Sequence, residues 1–100
     1  MIKRQAVKGK SQVKLTFVQP YEANRPRTYV VGDFNDWTPV STPLIKRTNG
    51  TTSASVVVAS GERVRFRYYT EDGKWFNDEA ADCYEPGEFG ADNSVVVAQL

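Results

Sequence analysis

From Arg63 to Thr70 the chain alternates: Val64, Phe66 and Tyr68 stand between Arg63, Arg65, Arg67 and Tyr69. In an extended strand successive side chains point to opposite faces, so this pattern demands one buried and one solvated face. The same period recurs in Val13, Leu15 and Phe17 against Gln12, Lys14 and Thr16. A partly wet strand needs an antiparallel sheet, and two such sheets must cover each other's apolar faces. Thr28–Val31, Ser53–Ala59 and Asn93–Ala98 read as further strands, punctuated by Gly32, Asn49-Gly50, Ser60-Gly61 and Asp72-Gly73. Leu44–Arg47 reads as a short strand. Thr38–Pro43 holds too much proline for a central one. No segment sustains a helical period, so the expected fold is an all-β sandwich. Asp72-Gly73 suits a two-residue hairpin turn leading into Trp75 and Phe76.

A chain of 100 residues supports one modest core. Residues 12–100 read as one domain, preceded by a basic arm at 1–11 with Lys3, Arg4, Lys8 and Lys10 and no acid. The arm is short and lacks interleaved aromatics, and the chain's net charge is only +1, so a solvated tail is expected rather than a nucleic-acid or membrane contact. No apolar run approaches the ~20 residues of a membrane span, and the first residues lack the core of a secretory signal. With the lone Cys83, these features lead to an expected cytoplasmic location.

The chain has no histidine. That removes the commonest general base and most nucleophilic triads and zinc sites. Asp33-Phe34-Asn35-Asp36 lacks the glycine and distal glutamate of a calcium loop. The acidic stretch from Glu71 to Asp92 supplies carboxylate pairs of the kind a glycosidase needs, but so many acids pair by chance. The expectation is a protein that is not an enzyme and needs neither cofactor nor metal.

Three segments carry a resemblance. Gly32-Asp33-Phe34-Asn35-Asp36-Trp37 follows a strand, Asp72-Gly73-Lys74-Trp75 forms a turn, and Asn93-Ser94-Val95-Val96 opens the last strand. Together, from about Val13 to Ala98, they resemble the family-48 carbohydrate-binding module. That family includes the N-terminal domains of isoamylases and glycogen-branching enzymes and the glycogen-binding domain of the AMP-activated kinase β subunit. The resemblance implies an immunoglobulin-like β-sandwich of the early-set type. It implies non-catalytic binding of α-1,4-glucan (glycogen, starch fragments or maltodextrins), targeting a separate partner enzyme to the polymer.

Sugar rings have flat C–H faces and hydroxyl rims, gripped by exposed aromatics with polar groups at their edges. By resemblance, Trp37 and Trp75 match the family's stacking rings. Arg67 matches a lysine that reaches glucan hydroxyls, and Asn93 an asparagine that bonds them. Phe89 matches an apolar residue that crosses the sugar. Ala91 stands where the kinase domain has a hydroxyl, and one extra residue separates the strand from Trp75. Each residue also has a plainer reading: the tryptophans as core caps, Arg67 as a solvated cross-strand cation, Asn93 as a turn former. Phe34 reads as core. Early-set sandwiches also serve as protein-interaction domains, so that class stands as the alternative.

Overall fold

The computed structural model describes residues 1–87 and 90–100. Its strands are β1 (Ile2–Ala6), β2 (Gln12–Pro20), β3 (Thr28–Gly32), β4 (Ile45–Lys46), β5 (Thr51–Ala59), β6 (Arg63–Thr70), β7 (Trp75–Phe76), β8 (Cys83–Pro86) and β9 (Asp92–Val97). One sheet has the order β1-β2-β5-β4 and the other β3-β6-β9-β8, with β7 added to β6 beyond the end of β9. All pairings are antiparallel. The two sheets pack face to face as an all-β, immunoglobulin-like sandwich.

The alternating residues close the core. Val13, Leu15 and Phe17 of β2 meet Val30 of β3, Val64, Phe66 and Tyr68 of β6 and Val96 of β9, all of them buried. A chain of ring contacts runs through it from Phe34 to Phe17, Phe66, Tyr68 and Phe76, with centroids 4.7–5.7 Å apart. Each large apolar side chain so buried contributes about 1.5–3 kcal/mol relative to exposure. Phe34 thus joins the core, as its place just past a strand suggests.

Residues 2–6, read from sequence as part of a basic arm, are instead an edge strand. β1 pairs along its whole length with β2, and Arg4 reaches the other sheet, donating to the Val97 carbonyl at 3.0 Å and to Asp82 at 2.6 Å. Of the charges that looked like a tail, Arg4 therefore clasps one side of the sandwich, while Lys3, Lys8 and Lys10 stay exposed.

The segment after Trp37 changes sheets. Val30 donates to the Thr42 carbonyl and Leu44 to the Thr28 carbonyl, laying Pro43 beside Tyr29 on the free edge of β3. Two residues later Ile45 and Lys46 pair with β5 in the opposite sheet. An edge position tolerates proline, which has no N–H to donate.

The β6–β7 hairpin differs from expectation. Tyr69 pairs with Trp75 and Thr70 donates to the Lys74 carbonyl, leaving a three-residue loop of Glu71, Asp72 and Gly73. Only Gly73 has positive φ, at +86°, the arrangement of a turn that ends in a left-handed glycine rather than a two-residue turn. Thr70 and Asp72 are joined by a side-chain hydrogen bond across it.

Candidate functional site

The outward face of the five-stranded sheet carries the odd-numbered residues of β6: Arg63, Arg65, Arg67 and Tyr69. Across the register, Tyr69 lies between Tyr29 of β3 and Trp75 of β7, and Arg67 lies opposite Val31. Val31 and Val95 are fully buried on this outward side, though neither joins the core between the sheets. A second, thinner apolar layer therefore lies under the arginine and tyrosine side chains.

Trp75 is 39% exposed. Its ring meets Tyr69 at 4.7 Å with a 51° tilt, and the Arg67 guanidinium lies 5.5 Å from its centroid. The three-residue loop of the hairpin sets the register that makes this pair, so Trp75 is aimed onto the sheet face and braced there. Tyr29 extends the row; its hydroxyl donates to Glu71 at 2.9 Å, and Arg27 stacks 5.9 Å from its ring. That bond, followed by burial, raises the Tyr29 hydroxyl pKa above the usual tyrosine range.

The three arginines differ in their partners. Arg63 and Arg65 both bond Glu85, and Arg65 also stands 3.7 Å from Asp33. The hydrogen bonds from Arg65 and then Arg63 hold the Glu85 carboxyl below the usual glutamate range. Arg67 forms no ion pair among the described residues, and its buried Nε has no acceptor there.

Asn93 joins the same face. Arg63 pairs with Val97 and Arg65 with Val95, so one further step of that register sets Asn93 across from Arg67. It is half-buried, and its amide packs over Gly87, where any Cβ would come within 3.0 Å of both amide atoms. Among the described residues the Asn93 side chain has no hydrogen-bond partner.

Trp37 occupies a different place. Its backbone N–H donates to the Gly32 carbonyl at the far end of β3, and its indole Nε1 donates to Asp33 at 3.1 Å. Asp33 in turn accepts from the Arg65 backbone at 3.0 Å, which ties Trp37 to the rim of the same face. Three strand steps and two inter-strand spacings separate its anchor from Trp75, roughly 14 Å along the diagonal. Trp37 is half-buried and, among the described residues, stacks on no other aromatic ring. Phe89 lies outside the described residues. The fold thus gathers Trp75, Arg67 and Asn93, and sets Trp37 apart.

Tyr69 and Tyr29 were not singled out from sequence. The signal for Tyr69 was present, since it shares a strand face with Arg67; its pairing with Trp75 depended on the hairpin register. Comparison with protein-family models gives no match, and comparison with curated proteins gives none either, so any assignment of this face rests on its own geometry.

Proposed function

We propose that this face binds an α-1,4-linked glucan without acting on it, and so targets a partner enzyme to the polymer. The observation that carries the reading is Trp75, a large apolar ring left exposed and held at a fixed tilt by Tyr69 and Arg67. An indole left exposed in a row with other aromatic rings forms the kind of apolar patch that meets a ligand or partner. Around it stand the polar groups a hydroxylated ring needs: guanidinium donors from Arg67 and an amide from Asn93 that both donates and accepts. Trp37, whose anchor at Gly32 lies roughly 14 Å from Trp75 along the sheet, suits a later unit of a chain.

The carboxylates of this face favour the non-catalytic reading. Asp33 is bonded to Trp37 and Arg65, Glu85 to two arginines, Glu71 to Tyr29 and Asp72 to Thr70. A glycosidase needs two carboxylates disposed about the scissile bond, one of them ready to give up a proton. These four are occupied as acceptors.

Affinity is modest by this reading, because a shallow wet platform gains little per ring, and repeated contacts along a polymer multiply it. Titration of intrinsic tryptophan fluorescence with a linear maltooligosaccharide is expected to give a saturable change, absent with a cellooligosaccharide. Trp75→Ala is expected to weaken glycogen co-sedimentation at least about tenfold while leaving circular dichroism unchanged, since stacking on an aromatic carries a large share of so small a contact. Trp37→Ala is expected to cost only a few-fold, its indole N–H being already committed to Asp33. Failure of both the titration and the glycogen co-sedimentation with the parent chain would pass the platform to a protein partner instead.

A further inference from the structure

A cleft of about 150 Å³ opens at the end of the sandwich where the loop after β2 crosses to β3. Its lining includes Arg25, Arg27 and Lys46 but only one acid, Glu22. Each cation rests on an aromatic ring: Arg25 is 5.8 Å from Phe76, Arg27 5.9 Å from Tyr29, and Lys46 4.4 Å from Tyr21. Such contacts limit where the charged heads can go.

The neutralisation of these charges is incomplete. Arg25 meets Glu22 through Nε at 3.5 Å, while its Nη1 is buried and has no acceptor among the described residues. Arg27 and Lys46 form no ion pair among those residues. Glu71, the next acid beside Arg27, is engaged by the Tyr29 hydroxyl. Among the described residues two of the three cations thus lack a counter-charge, which an incoming anion supplies. A guanidinium fork is shaped for the oxygens of a phosphate or carboxylate.

We propose that this cleft binds a phosphate group, free or carried as a monoester on a sugar. Three cations against one carboxylate call for a ligand with more than one negative charge. The small volume admits a tetrahedral oxyanion, with any larger body left outside. The site is distinct from the platform of Trp75 and does not depend on the glucan reading.

The test is a titration of the whole chain with sodium phosphate, followed by amide chemical shifts, with chloride holding ionic strength constant. Saturable shifts are expected at Tyr21, Arg25, Thr28 and Lys46. Arg25→Gln and Lys46→Gln should each weaken binding about five- to tenfold, the loss of one charge-assisted contact, with Trp75→Ala binding as the parent does. Lys46 is exposed, so its variant reports on the site even where Arg25→Gln disturbs the loop. Glucose 6-phosphate binding more tightly than phosphate would identify a sugar phosphate as the source, and equal binding would identify the free ion. Shifts that never saturate, or that persist undiminished in both glutamine variants, would overturn the proposal.

Discussion

Gly32 has φ of −173°, extended backbone that any residue adopts, so its constraint is space rather than conformation. A Cβ there would overlap the Arg65 carbonyl oxygen and come within 2.9 Å of the Phe66 Cβ. Both neighbours belong to the central strand β6 and cannot yield without moving the sheet. Gly32→Ala is therefore expected to lower unfolding free energy by about 1–3 kcal/mol, the range for overpacking a filled interior, read from urea denaturation. A stability equal to the parent's would mean β3 can shift away from β6. Four and five residues on, Asp36 and Trp37 hold φ of 54° and 57°, a left-handed conformation that side chains rarely adopt. The bonds from Trp37 to Gly32 and Asp33 hold it there.

At the scale of elements, Asn35 fixes the turn that leaves β3. Its carboxamide oxygen accepts from the Gly32 N–H at 3.0 Å, and its nitrogen donates to the Val30 carbonyl at 3.1 Å and the Thr42 hydroxyl at 3.0 Å. One side chain thus joins the end of β3, the short 3₁₀ turn Asp33–Asn35 and the segment that switches sheets. Asn35→Ala is expected to cost about 2–3 kcal/mol, near the sum of three modest hydrogen bonds. Thermal melting would measure the loss. The Trp37 emission should shift with it, because that indole sits on the same turn; a lost bond network with unchanged emission would separate the two.

Across the whole molecule, charge is divided between the sheets. β1, β2, β4 and β5 contain no acidic residue, and the carboxylates gather on and around the five-stranded sheet. Arg4 bridges the two, meeting Asp82 at 2.6 Å. Partial burial works to raise the Asp82 pKa, but the Val97 N–H and the Arg4 guanidinium outweigh it and hold the carboxyl below the usual range. Glu85 is held low by Arg65 and Arg63. For a group whose folded pKa is depressed, the unfolded chain takes up protons first as the pH falls. The stabilisation is then complete above the unfolded value and lost below it. The urea midpoint is thus expected to stay level above about pH 5 and to decline through about pH 4.5 to 3. Arg4→Gln should flatten the part due to Asp82, and an identical acid limb in that variant would remove the clasp from the account.

The alternation in β2 and β6 was enough to specify two antiparallel sheets and their shared core, because a period of two leaves no other way to bury those faces. Leu15, Phe17, Phe66 and Tyr68 lie where that rule puts them. Turn chemistry located the ends of the strands, and the resemblance singled out Trp37, Trp75, Arg67, Asn93 and Phe89, of which the fold brings Trp75, Arg67 and Asn93 together. The pairing of Trp75 with Tyr69 was not legible, since a one-residue change in hairpin length reverses which side chains share a face. Nor was the role of β1, whose Lys3 and Arg4 read as part of a tail until Arg4 found its partners in β9 and Asp82. Local pattern determines how each segment buries itself. Which distant segments then meet, and so which charges and rings stand together, is decided only when the sheets close over the core.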